Sequence, residues 1–299
     1  MDRSRQIKAD MQLLLITFCW GISYVFTKLC LQHMSPMMLL AYRFLIGFVV
    51  VAAIFRKNLV RLNGVTLKYA LLCAVSLFVT YAAVTYGQLY TSSTKASFLC
   101  ALTTILTPII AFFVLKQRQE KSLVVAVVIC FVGIALMTLG EGFRIDMTEF
   151  KGDILCIICA VTYAINLLTV EKAVRTEGVD AAGLGVIQLL IVGLLDLGLA
   201  AVKNELVLPG DPAVWGMILV LALLCTAMAL VLQPIAQRHT TASHVGVIYA
   251  LEPVFSAIAA MLILHEFMTF RNYVGAALML ISIFIMEIDW SKIKKQADG

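Results

Sequence analysis

The chain has 299 residues, 62% hydrophobic and 14% charged, where an ordinary soluble domain carries about 45–50% and about 25%. That much apolar surface excludes a soluble globular fold. The formal charge of +5 matters less for its size than for where the charges sit, and it calls for no nucleic-acid partner. Apolar stretches of the roughly 20 residues that cross a hydrocarbon core recur from Met11 to Ile288. Inside lipid every backbone amide must be satisfied internally, which leaves helices or a closed barrel. Barrel strands alternate polar and apolar residues over short segments, whereas these stretches are continuously apolar, so the expected class is all-α.

In chain order the hydropathy predicts spans at Met11 to Leu31, Pro36 to Phe55, Leu67 to Gln88, Ala96 to Leu115 and Leu123 to Leu139. A second set runs Gly152 to Val170, Ala182 to Val202, Ala213 to Pro234, Ala242 to Leu264 and Arg271 to Ile288. The first span is long enough to cross and lacks the small-residue cleavage site of a secretion signal, so it is expected to stay on the chain. Cysteines fall mostly within spans. Cys156 and Cys159 form a C-x-x-C with no second pair to complete a zinc site, so buried structural thiols are expected and no metal is.

The charges give an orientation. With a cytoplasmic N-terminus, inner segments hold Arg3, Arg5, Lys8, Arg56, Lys57, Arg61, Lys68, Lys116, Arg118, Lys121, Lys172, Arg175, Arg238, Lys292, Lys294 and Lys295. Outer segments hold fewer: Lys28, Lys95, Arg144, Lys151, Lys203 and Arg271. This bias places both termini in the cytoplasm, as an even number of spans requires.

Two sets of five spans suggest a repeat, residues 1–140 and 141–299, forming a single transport domain. Repeats of odd span number are inverted relative to each other in the membrane. At a constant shift Trp20, Ser23 and Lys28 fall on Tyr163, Asn166 and Glu171. Arg43 lies near Gln188 after a small insertion, and Leu106-Thr107-Pro108 matches Leu251-Glu252-Pro253.

These residues resemble the EamA branch of the drug/metabolite transporter superfamily over nearly the whole chain. The resemblance rests on Phe18-Cys19-Trp20-Gly21 followed by Lys28, on Tyr42-Arg43-Phe44, and on Tyr90-Thr91-Ser92-Ser93. It rests most on Ala250-Leu251-Glu252-Pro253 leading to His265-Glu266, because a Glu-Pro pair in mid-membrane is costly. The family implies ten helices in two inverted five-helix repeats. It also implies carriage of metabolites or amino acids, commonly outward, through a central cavity opened alternately to each side. One departure is an extra turn between Thr91 and Pro108 relative to Thr240 and Pro253.

Polar residues at helical spacing inside apolar spans mark faces that avoid lipid. Such stripes are Trp20, Ser23, Tyr24 and Thr27 in the first span and Tyr81, Thr85 and Gln88 in the third. The sixth has Thr162, Asn166 and Thr169 with Tyr163 beside them, and the ninth has Tyr249, Glu252 and Ser256. Each stripe read alone is helix-to-helix hydrogen bonding; converging from both repeats, they point to a shared polar cavity. Arg43, Asp196 and Glu252 are ionisable residues deep in spans, a costly placement that makes each a functional candidate. Arg43 and Glu252 are suited either to pairing or to holding the two ends of a zwitterion. The aromatics Trp20, Tyr24, Tyr81, Tyr163 and Tyr249 either pack or stack on a substrate. The expected substrate-binding set is therefore Trp20, Ser23, Tyr24, Arg43, Tyr81, Thr85, Gln88, Tyr163, Asn166, Gln188, Tyr249 and Glu252. Pro108 and Pro253 each delete a backbone hydrogen bond and are the expected gating kinks.

Catalytic signatures are missing. His265-Glu266 matches the start of a zinc-protease motif, but Thr269 stands where its second histidine belongs. There is no G-x-S-x-G turn, no phosphate loop and no acidic cluster for magnesium. No enzyme activity and no cofactor are expected; the partners are a small-molecule substrate and membrane lipid. Without an ATP-binding segment, transport would draw on a gradient or on exchange. The alternatives are a channel, which shares polar stripes, or a membrane scaffold, for which the loops around Glu141 to Lys151 and Asn204 to Pro212 are too short to fold alone.

Overall fold

The computed structural model describes residues 3–60, 62–115, 121–138 and 146–287. Arg61, Lys116, Arg118, Arg144, Lys292, Lys294 and Lys295 of the charge pattern lie outside these residues, as do the predicted span ends Leu139 and Ile288. The described chain forms α1 (Arg3–Cys30), α2 (Pro36–Ile54), the short α3 (Arg56–Val60), α4 (Gly64–Gly87), α5 (Ser93–Cys100), α6 (Thr103–Leu115) and α7 (Lys121–Thr138). It continues with α8 (Met147–Arg175), α9 (Ala181–Val202), α10 (Pro212–Ala222), α11 (Ala229–Gln237), α12 (Ala242–Tyr249), α13 (Glu252–Ala259) and α14 (Phe270–Glu287).

Starts are set by short polar side chains that satisfy the first orphan amides of each helix. Ser35, Asn63, Ser92, Asp146, Asp180, Asp211 and Thr241 each accept a hydrogen bond from a backbone N–H two or three residues on. Such caps carry α4, α5 and α8 three to five residues beyond the starts that hydropathy alone predicts. Pro36 and Pro212 stand at first-turn positions, where a missing N–H costs nothing.

Two predicted spans are broken. The fourth divides into α5 and α6 around Ala101-Leu102, and the ninth into α12 and α13 around Ala250-Leu251. The eighth is one rod interrupted by a π-helical turn, Leu223–Met228. Eight of the described rods are long and apolar enough to cross a membrane. A shorter apolar helix, Val125–Met137, lies within α7, and α14 packs against α7. Their outer faces are apolar: Phe113, Val128, Phe131 and Leu262 are well exposed, a surface that is stable against lipid and not against water. Among the described residues those eight rods with α7 and α14 make ten spans, and the chain is a multi-pass helical membrane protein of two inverted five-helix repeats.

The two halves interlock. α1 packs on α12 and α13, while α8 packs on α5 and α6; α4 packs on α8, while α11 packs on α1. α2 against α9 and α7 against α14 join repeat-related helices directly. Small residues allow the close crossings. A Cβ on Gly133 would lie 2.7 Å from the Gly275 carbonyl and the reverse is equally tight, and Gly87 and Gly152 face each other in the same way. The broken helices also meet crosswise, α5 on α13 and α6 on α12. The Thr104 hydroxyl of α6 donates to the Gly246 carbonyl of α12 at 2.7 Å.

Candidate functional site

A cavity lies where the halves meet. It is lined by α1 (Trp20, Ser23, Tyr24, Thr27), Arg43 of α2, and Thr80, Tyr81, Val84, Thr85 and Gln88 from α4 and its end. Cys100, Ala101, Thr103 and Thr104 around the first break, Cys159 and Tyr163 of α8, and Tyr249 and Glu252 flanking the second break complete it. It offers about 70 Å³ to the centre of a water-sized sphere. At about 10–15 Å³ of such volume per water, that is room for a handful of waters or one small metabolite.

Trp20 and Tyr163, equivalent in the two repeats, meet edge-on with centroids 5.6 Å apart, and Tyr249 lies 4.9 Å from Trp20 and 6.3 Å from Tyr163. The π-helical turn fixes this corner. A π turn shifts the backbone register and frees a carbonyl from the ordinary helix ladder; the Trp20 indole N–H donates to the Cys225 carbonyl at 2.7 Å. The Tyr163 hydroxyl donates to Gln233 Oε1 on α11 at 2.9 Å, and Gln233 Nε2 donates to Gln237 Oε1 at 3.2 Å.

Arg43 is 3% exposed. Its Nε donates to Thr226 Oγ1 at 3.1 Å, its Nη1 donates to Thr27 Oγ1 at 3.2 Å, and its guanidinium carbon sits 5.3 Å from the centroid of the Tyr81 ring. The hydrogen-bond partners of this cation are thus hydroxyls, with a ring face beside it. Glu252 follows the second break on the first turn of α13, where helix N-termini favour negative charge, and the Tyr24 hydroxyl interacts with it. The described ion pairs do not join Arg43 to Glu252. Among the described residues, Thr85 Oγ1, Gln88 Oε1 and the Tyr249 hydroxyl are buried without a hydrogen-bond partner.

Ten of the twelve expected substrate-binding residues line this cavity, and Asn166 and Gln188 do not. Asn166 Nδ2 donates to the Cys73 carbonyl at 2.9 Å and to Ser76 Oγ at 3.1 Å, tying α8 to α4. Thr162 likewise meets Thr80 at 2.8 Å. The polar stripe of α8 therefore serves the α4 contact, and the face turned to the cavity carries Cys159 and Tyr163. Gln188 donates to the Leu184 carbonyl of its own helix at 3.4 Å. Asp196, fully buried on α9, keeps both carboxylate oxygens without a hydrogen-bond partner among the described residues. It lies outside the lining but close enough to Arg43 for their charges to interact.

The prolines are not equivalent. Hydroxyl caps Ser92 and Thr241 and breaks at Ala101-Leu102 and Ala250-Leu251 share one shift, which sets Glu252 against Thr103 and Pro253 against Thr104. Pro253 stands on the first turn of α13 and Pro108 inside α6, a turn beyond the matching place. This replaces the register that matched Thr107-Pro108 with Glu252-Pro253. The lining residues that sequence spacing did not single out are Thr80, Val84, Cys100, Ala101, Thr103, Thr104 and Cys159, and Thr226 holds Arg43 from behind. All eight cysteines are free and buried.

An inverted-repeat helical bundle enclosing a small cavity between its halves defines a class of membrane protein, and comparison with known proteins gives the family. The model of the EamA-like transporter family matches residues 7–139 and again 150–288, and the chain belongs to that family. It is similar to an uncharacterized transporter of Archaeoglobus fulgidus, with 29% identity over 95% of this chain and 87% of that one. It is also similar to the uncharacterized transporters YcxC (24% identity, 99% of this chain, 98% of that one) and YetK (25%, 93% and 85%) of Bacillus subtilis. A crystal structure of a protein with 16% identity superposes with a TM-score of 0.69 over 96% of this chain and 97% of its own, a likeness of fold.

Proposed function

We propose that the protein is a carrier, without catalytic activity, that moves small zwitterionic metabolites of the amino-acid class across the cytoplasmic membrane by alternating access. One observation carries this reading: Arg43 and Glu252 line the same cavity, with opposite charge, and are not paired with each other. An Arg fork suits a carboxylate, and a carboxylate elsewhere in the same lining suits an ammonium group. Trp20, Tyr81, Tyr163 and Tyr249 supply the apolar and π surface between them. Ser23, Tyr24, Thr85 and Gln88 line the rest, and Thr85 and Gln88 hold polar atoms free for a ligand.

In this reading residues 1–140 and 141–299 form one transport unit, both termini face the cytoplasm, and the direction is outward, driven by a gradient or by exchange. The test is counterflow in proteoliposomes preloaded with labelled amino acids and other small metabolites. Saturable release of one zwitterionic class, accelerated by the same unlabelled compound outside, supports the carrier. Release that does not saturate marks a channel, and no release above empty liposomes overturns the reading.

A further inference from the structure

Two contacts between a basic and an acidic side chain, both outside the cavity, occupy repeat-related positions. At the end of the bundle where α1 finishes, Lys95 on the first turn of α5 reaches Asp153 of α8 at 2.9 Å and Glu149 at 3.1 Å. At the opposite end His244 on the first turn of α12 meets Asp10 of α1 at 3.0 Å. Lys95 and His244 each give their backbone N–H to the hydroxyl that caps their helix, Ser92 and Thr241. The shift of 143 residues that carries Trp20 to Tyr163 also carries Asp10 to Asp153. Each pair therefore ties the start of a broken helix to the start of the long helix of the other repeat.

The turns beside the pairs are held in a related way. Lys28 Nζ donates to the carbonyls of Gln88 and Thr91 at 2.6 and 2.9 Å, just before α5. Its repeat equivalent Glu171 accepts from the Ala242 N–H at 2.9 Å, at the start of α12. The pairs differ in access to solvent: Lys95 and Asp153 side chains are 5% and 1% exposed, His244 and Asp10 36% and 34%. A desolvated pair resists separation far more than a solvated one. Because α5 crosses α13 and α6 crosses α12, movement of one broken helix is felt by the other.

We propose that Lys95–Asp153 and Asp10–His244 are alternating latches, each closing one end of the cavity; both are made in this structure, and the buried Lys95 latch is the tighter. The proposal rests on the carrier reading in taking the cavity to open at both ends, but its test needs no substrate. Cys100 and Cys159 line the cavity and are buried, so a membrane-impermeant maleimide applied to either face of oriented vesicles reports opening, with the labelled cysteine identified by peptide mass. Asp153→Asn is expected to raise labelling of Cys100 and Cys159 from the face bearing the 88–93 turn by about tenfold or more, with no rise from the other face. Exchanging the charges, Lys95→Asp with Asp153→Lys, returns labelling to the wild-type level. Asp10→Asn, at a half-exposed site, raises labelling from the N-terminal face alone by about threefold; it carries the test by itself if Asp153→Asn fails to fold. Labelling that is unchanged, or that rises equally from both faces, overturns the latches. Since no transport is measured, that result leaves the carrier reading to stand or fall on counterflow.

Discussion

The two broken helices share a backbone and differ in chemistry. Both begin at a hydroxyl cap, run eight helical residues and break at an Ala-Leu pair. Beyond the break the first repeat presents Thr103, whose hydroxyl donates to the Cys100 and Ala160 carbonyls at 2.8 and 3.2 Å. The second presents Glu252, a carboxylate in the cavity wall. The scaffold occurs twice, and the acidic side chain stands in one copy. In the proposed carrier the inverted backbone provides the ability to open at either end, while recognition depends on the side chains that break the symmetry.

Substitutions at the paired positions sharpen that contrast. The largest effect is expected at the second break: Glu252→Gln, which keeps the shape and removes the charge, lowers transport by about ten- to hundredfold, the value of roughly 1.5–3 kcal/mol for a charged hydrogen bond. Thr103→Val at the equivalent place changes it by less than about threefold, because a neutral hydrogen bond between membrane helices averages about 0.6 kcal/mol. Equal losses in counterflow would break the comparison.

Next comes the crossing over each break. A Cβ on Gly21 would lie 2.5 Å from Phe255 Cβ and 2.9 Å from the Glu252 carbonyl, whereas the repeat-equivalent Ala164 of α8 is accommodated and fully buried. Gly21→Ala is expected to cost about 1–3 kcal/mol, read as a lower melting temperature, and to reduce transport by displacing Glu252. Ala164→Gly costs under about 1 kcal/mol. The smallest effect belongs to Pro253→Ala, within about 1 kcal/mol, since a first-turn proline lacks an N–H that the helix does not use. A large loss of transport in that variant with unchanged stability would support the expected gating role of Pro253.

Much of the fold was legible because lipid forces continuous apolar helices, and a cavity shared by α1, α4 and the second break could be read from polar residues three and four apart. α8 shows the limit of that method. It is packed on several sides, so spacing groups Thr162 with Asn166 but cannot say whether that face meets the cavity or α4, and here it meets α4. The first helix break left no local mark, since Ala and Leu are strong helix formers and the interruption is stabilised by tertiary bonds such as Thr104 to Gly246; at the second only Pro253, just beyond it, hinted at the break. The π turn at Leu223–Met228 was equally silent, containing neither proline nor glycine. Thr226, which it aims at Arg43, could not have been found by periodicity.

The central claim is that Arg43 and Glu252, lining one cavity, read the two charges of a zwitterion. Its most direct test is the thermal stability of the purified protein with amino acids, with amines lacking the carboxylate and with acids lacking the amine, in wild type, Arg43→Gln and Glu252→Gln. Binding at about a hundredfold excess over Kd stabilises by roughly 2.7 kcal/mol, a shift of a few degrees. The account predicts that stabilisation of the wild type requires both groups on one molecule. It further predicts that Arg43→Gln removes the preference for the carboxylate and Glu252→Gln the preference for the ammonium. Equal stabilisation of the wild type by analogues lacking either charge would contradict it.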